Sequence, residues 1–169
     1  MKKVLAEYLL ISLLLLSACS VRYSFSGASI PIEANTFSVK LFQNMAPVVV
    51  PSLSSTFTEA LKMKMLTGTR LNQTDEDNAD LSFEGEITGY SIAPKAITAD
   101  EVAKQNRLTI TVRVKFENRV DPKQNYDKSF SQYDDYNSEV NFASVETGLI
   151  DNITQNLVED IFNAAVANW

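Results

Sequence analysis

"RLTITVRVKFE", residues 107–117, alternates without a break. Leu108, Ile110, Val112, Val114 and Phe116 fall on one side of an extended chain. Arg107, Thr109, Thr111, Arg113, Lys115 and Glu117 fall on the other. A period of two, rich in β-branched residues, predicts a strand with one buried face and one wet face. Such a strand needs neighbours to pair with and a layer to cover it.

The neighbours lie on either side in the chain. Leu81, Phe83, Gly85 and Ile87 alternate with Ser82, Glu84, Glu86 and Thr88. At Gly89 the phase shifts, because Tyr90 and Ile92 now carry the apolar side, which predicts a bulge. If 81–92 and 107–117 pair antiparallel, one register sets Glu86 beside Arg113 and Glu84 beside Lys115, and leaves Arg107 without an opposing acid. The connection over 93–106 is long for a hairpin, a feature of functional or mobile loops. Downstream, Asp121-Pro122 marks a turn and a further strand is expected over 126–136. Its register stays open, because Phe130 and Tyr133 cannot share a face without a bulge. Phe37, Val39 and Leu41 predict a first strand, followed by a loop, "NMAPVVVPS", bracketed by Pro47 and Pro51.

The cover comes from two helical patterns. Over 53–66, Leu53, Phe57, Ala60, Leu61 and Met65 make one apolar face, with Met63 and Met65 as core fillers. Thr56 and Glu59 offer a capping box, and Gly68 a stop. Over 142–168, Val145, Leu149, Ile153, Leu157, Ile161 and Ala165 recur every four residues, widened by Ile150, Phe162 and Val166. Val158 lies off this stripe, Asn141 or Ser144 can cap the start, and Trp169 is expected as a core or interface anchor. The polar stretch 72–80 carries Asp75, Asp77 and Asp80 but lacks the glycine and late glutamate of a calcium loop, and is taken as a solvated turn. The order is β-α-β-β-β-α. It predicts an α+β fold: a two-layer sandwich over residues 36–169, two helices packed on one face of a four-stranded sheet whose other face is polar and open.

The start of the chain has a different character. Lys2 and Lys3 precede an apolar run from Tyr8 to Leu16, which is too short for a membrane-spanning helix. Leu16-Ser17-Ala18-Cys19 then resembles a bacterial lipobox, and Cys19 is the single cysteine of the 169 residues. Residues 1–18 are therefore expected to be a lipoprotein signal peptide. Cys19 is expected to be the lipid attachment point, and residues 19–35 a lipidated extended tether. Acyl chains on one thiol would hold the protein to a membrane.

Composition limits the chemistry. There is no histidine, so a Ser-His-Asp triad and the usual zinc sites are excluded. The net charge is -6, and 129–169 holds seven acids and no Lys or Arg. Nucleic acid is not an expected partner. A hydrolase built on paired carboxylates would need Asp134-Asp135 or Glu84 and Glu86; Asp134 and Asp135, adjacent on a strand, point to opposite faces.

"YSFSGASIP" (23–31), "TFTEALK" (56–62), "FEGEITGY" (83–90), "NRLTITVRVKF" (106–116) and "LVEDIFNAAVANW" (157–169), in this order behind a lipobox, resemble the LptE family of outer-membrane lipopolysaccharide-assembly lipoproteins. The resemblance implies a non-catalytic protein without cofactors. It implies a plug inside the barrel of an LptD partner, at the periplasmic side of the outer membrane, that helps the barrel assemble and helps pass lipopolysaccharide to the outer leaflet. The alternative is a periplasm-facing lipoprotein that binds another glycolipid or envelope protein without a barrel. Charge and strand face, not a family motif, make Arg107, Arg113 and Lys115 the candidate lipopolysaccharide-binding residues, since arginine holds phosphate by paired charged hydrogen bonds. The competing reading of the same three is cross-strand ion pairing.

Overall fold

The computed structural model describes residues 30–95 and 105–166. Cys19, the leader, most of the tether, the middle of the 93–106 connection and Trp169 lie outside the described residues. In chain order the elements are β1 (Thr36–Val39), β2 (Gln43–Asn44), α1 (Leu53–Gly68), β3 (Asn72–Gln73), β4 (Leu81–Pro94), β5 (Gln105–Asn118), a 3-10 turn (Pro122–Gln124), β6 (Tyr126–Asn137) and α2 (Phe142–Val166). The sheet runs β3-β1-β4-β5-β6, with β2 also on β4. β1 lies parallel to β3 and β4, β2 lies parallel to β4, and β4, β5 and β6 form an antiparallel meander. The α+β sandwich is as expected, and the two-residue strands β2 and β3 extend the expected four to six. Two residues carry no readable period, which is why the pattern missed them.

The inner ladder of β5 is the floor of the core. Leu108, Ile110, Val112, Val114 and Phe116 are all buried. The bulge is where the phase shift put it: Ile87 faces Val112 and Gly89 faces Thr111, so Thr88 is the extra residue. On β6 no bulge is needed. Phe130 pairs with Val112 on the inner side, and Tyr133 pairs with Thr109 on the outer side. Phe83, Phe116, Tyr126 and Phe130 follow one another across three strands with ring centroids 4.9, 5.2 and 6.0 Å apart. Gly85 sits in the inner row because nothing larger fits. A Cβ there would stand 2.0 Å from the Arg113 carbonyl oxygen and 2.6 Å from the Phe42 ring.

Both helices cover this one face. α1 buries Leu53, Phe57, Thr58, Leu61 and Met65, while Ala60 is half-buried. Met63 is exposed, a correction to its reading as a core filler: residues two apart on a helix face different ways. Leu41 is likewise 60% exposed, because β1 ends at Val39 and the turning chain hands the buried place to Phe42. The helix starts at Leu53, too early for the Thr56–Glu59 box. Gly68 is its last residue rather than a left-handed cap, and Thr69 is extended and bonds the Met65 carbonyl. Gly68 instead gives room to the Phe162 ring of α2, 2.6 Å from where a Cβ would be.

On α2 the four-residue stripe is buried from Leu149 to Ala165, and Val158 is buried with it, which corrects its placement off the core. The reason is geometric. α2 lies in the angle between the sheet and α1 and touches both, so its buried arc is wider than one stripe. Asn141 caps it, its Oδ1 accepting from the Ala143 N–H at 3.1 Å. Among the described residues no helix is long and apolar enough to cross a membrane.

The first described residues are clasped to the body. Arg70 donates to the carbonyls of Ala34 at 2.8 Å and Pro31 at 2.9 Å. Asp80 Oδ2 accepts from the N–H groups of Asn35 and Thr36 and from the Thr36 hydroxyl, at 2.8 to 3.0 Å. These bonds hold the Asp80 carboxyl below its usual range, the Asn35 N–H first among the causes. Ala34 is fully buried, so packing begins ahead of β1.

Candidate functional site

The outer face of β4, β5 and β6 is polar from end to end, and it gathers the three candidate residues. The β4–β5 register sets Glu84 opposite Lys115 and Glu86 opposite Arg113, as the alternation predicts. The strongest bonds nevertheless go elsewhere. Arg113 places Nε and Nη2 on the two oxygens of Asp127 in β6, each at 2.8 Å. Lys115 reaches Glu117, two residues on along its own strand, at 2.6 Å. Glu84 accepts from Lys40 at 2.7 Å, and Lys40 also meets Asp77 at 3.3 Å. Asp127 stands diagonally across, opposite Lys115, while Arg113 faces Ser129, and the guanidinium fork takes both of its oxygens at once. Glu84, Gly85, Glu86, Arg113, Lys115 and Asp127 surround a shallow depression of about 300 Å³. The pairings hold Arg113 and Lys115 more firmly protonated, and Asp127 and Glu117 more firmly ionised, than usual; in each the hydrogen-bonded partner is the leading cause.

Arg107 stands apart, toward the other end of the face. On β4 it faces Ala93, so the absence of an acid there is as expected. On β6 it faces Asp135, to which it donates from Nε at 2.7 Å and Nη2 at 3.1 Å. Its guanidinium also stacks 3.5 Å from the centroid of Tyr133. Lys95 brings a second cation to the same carboxylate at 3.0 Å. Asp135 is drawn down to about 2, first by Arg107 and then, against the cost of burial, by Lys95. Two cations share one carboxylate here, whereas acids outnumber cations around Arg113. Between the two clusters lies a neutral strip in which Thr111 and Ser131 hydroxyls meet at 3.0 Å.

Lys95 and, on β6, Asp127, Tyr133 and Asp135 are members of this site that sequence reading missed. For the β6 members the signal was present: 127, 129, 131, 133 and 135 are the odd positions of one unbroken strand. It was unusable while the register of that strand was open. Of the carboxylates weighed for hydrolysis, Glu84 and Glu86 share the outer face and line the same depression, each opposite a cation of β5, whereas Asp134 and Asp135 do not form a pair. Asp134 bonds Asn152 of α2 on the inner side, and Asp135 bonds Arg107 on the outer side. In the 72–80 stretch, Asp80 is taken by the clasp and Asp77 by Lys40.

Comparison with known proteins adds to this geometry. The LptE family model, described as lipopolysaccharide-assembly, matches residues 34–165. No curated protein matches the chain. Among solved structures, a minor lipoprotein from Acinetobacter baumannii is similar with a TM-score of 0.51 and 15% identity, over 76% of this chain and 90% of that one. A hypothetical protein from Chlamydia trachomatis is similar with a TM-score of 0.54 and 9% identity, over 80% and 99%. A rare lipoprotein B from Shewanella oneidensis aligns with a TM-score of 0.45 and 12% identity, over 77% and 92%. At such identities the first two likenesses are of fold alone.

Proposed function

Because the chain belongs to the LptE lipopolysaccharide-assembly family, we propose that it is a non-catalytic outer-membrane lipoprotein that plugs and helps assemble an LptD-type β-barrel and assists delivery of lipopolysaccharide to the outer leaflet. The match of the family model across residues 34–165, nearly the whole described domain, carries this reading. The lipobox-like Leu16-Ser17-Ala18-Cys19 supports an anchor at Cys19, behind a leader of residues 1–18 and ahead of a tether that is shorter than the expected 19–35, because residues 31–35 are already clasped to the body. The protein then hangs on the periplasmic side of the outer membrane.

Lipopolysaccharide carries phosphates, and the outer face offers Arg107, Arg113 and Lys115 to them. Of the three, Arg107 is the best placed, since Lys95 beside it leaves that end of the face with more cation than carboxylate. Arg113 and Lys115 would each have to be shared with an acid already bonded to them.

The test is affinity purification of the full-length protein from detergent-solubilised outer membrane, with mass spectrometry of the proteins that co-purify. A large β-barrel is expected at a fixed ratio. Recovery of the lipoprotein with envelope proteins but no barrel would overturn the plug and leave the barrel-free alternative. Cys19→Ala is expected to release the protein from the membrane fraction, and normal lipid labelling of that variant would contradict the anchor.

A further inference from the structure

β4 lies inside the sheet, yet among the described residues half of it has a neighbour on one side only. Next to β1 and β2 its carbonyls are used: Phe83 accepts from the Lys40 N–H at 3.0 Å and Ile87 from the Met45 N–H at 2.9 Å. There the ladder stops. Among the described residues no strand pairs with Thr88–Pro94 on that side. The Lys95 N–H donates to Gln105, so positions 89, 91, 93 and 95 turn their backbone groups to β5. Tyr90 and Ile92 therefore turn theirs outward to the open edge, and Pro94, which has no N–H, closes the row.

An open edge invites pairing, and folded proteins blunt it with charge. The β6 edge of the sheet does so, with Asp127, Lys128, Asp134 and Asp135. The β4 edge does not. Residues 88–94 hold no charge, and neither does the whole stretch 41–58 that leads through the adjoining loop into α1. That loop exposes Val48 at 53% and Val49 at 62%, and Ile92 on the edge is 44% exposed. Donors and acceptors at strand spacing that no described residue pairs with, among apolar side chains, are complementary to a polypeptide backbone. Hydrocarbon offers them no partner.

We propose that the Thr88–Pro94 edge of β4 is a strand-addition site that takes an extended, uncharged segment of a second protein. The segment pairs with the backbone of Tyr90 and Ile92 and rests its side chains on Val48, Val49 and Ile92. The site is independent of the cationic outer face, and it does not rest on the proposed barrel role.

A photoreactive benzoylphenylalanine at Ser91 of the full chain, irradiated in living cells, tests this, with the same group at Ser129 on β6 as the control. The adduct peptide is identified by mass spectrometry. Expected is one peptide, uncharged and from a different protein, at position 91 and not at 129. Ile92→Pro removes an outward N–H without touching the β5 pairing, and should cut the adduct about fivefold or more. Ile92→Thr should keep it. Ile92→Lys, which charges the edge and leaves the backbone intact, should also cut it, and melts of all three variants separate this from loss of fold. No adduct, an adduct within the same chain, with a second copy or with lipid, or one unchanged by both proline and lysine, would each overturn the proposal.

Discussion

The two faces of β5 are built from the same eleven residues and behave as two different materials. The inner face is five apolar side chains, every one buried. Its stability comes from exclusion of water, which is indifferent to which neighbour does the excluding. The outer face is a set of ions whose partners are chosen by reach and angle. There Arg113 passes over the glutamate opposite it on β4 for an aspartate on β6. A hydrophobic ladder is thus a property of the strand, and an ionic ladder is a property of the sheet.

The largest effects should come from the layer that completes the inner face. Leu157→Ala and Ile161→Ala are each expected to cost about 2–5 kcal/mol in denaturant unfolding. Val158→Ala should also destabilise clearly, because that side chain is buried where α2 meets its neighbours. A neutral result at 158 would return the helix to a single stripe. Gly85→Ala adds one methyl to the inner row of β4, against a carbonyl oxygen and a ring, and should cost about 1–3 kcal/mol. Were that variant as stable as the parent, the Phe42 roof over β4 would have to be looser than its geometry.

The outer face should answer to acid rather than to truncation. Asp135 titrates at about 2 in the fold against an ordinary 3.8. Its folded pKa is lowered, so its contribution is complete above the ordinary value and is lost as pH falls through about 2. Unfolding midpoints of the parent and of Asp135→Asn should therefore converge as pH falls from about 5 toward about 2. A constant gap between them would deny the ion pair. Smallest of all, Arg113→Gln should leave the melting temperature unresolved from the parent, since that pair is open to water. Arg107→Glu with Lys115→Glu should also keep the fold. It should weaken binding of purified lipopolysaccharide if this face serves the proposed role, and unchanged affinity would remove the face from it.

This division also explains what could be read in advance. The inner ladder, the bulge at Gly89 and the register that sets Glu84 by Lys115 all come from alternation, because burial imposes a period and the period imposes the register. The ion partners do not come from it. Asp127 and Asp135 are visible in the chain, but which cation each meets depends on how far the turn at Asp121–Gln124 offsets β6, and no residue of β6 announces that offset. Met63 and Leu41 failed for a related reason. Leu41 continues an apolar pattern one step past the point where the backbone has turned away, and Met63 lies two residues from Met65 on a helix, where that spacing changes the face. Val158 failed because one stripe was counted on a helix that has two neighbours.

The clasp on residues 30–36 has a mechanical meaning. A tug on the N-terminal side of the domain arrives first at Arg70, which grips two carbonyls, and at Asp80, which grips Asn35 and Thr36. Only past them does the load reach β1, flanked by parallel strands on both sides, where it pulls along the ladder and strains its rungs together instead of unzipping them one by one. A domain hung from its N-terminus would therefore yield late and abruptly under tension, with Arg70 and Asp80 as its first point of failure.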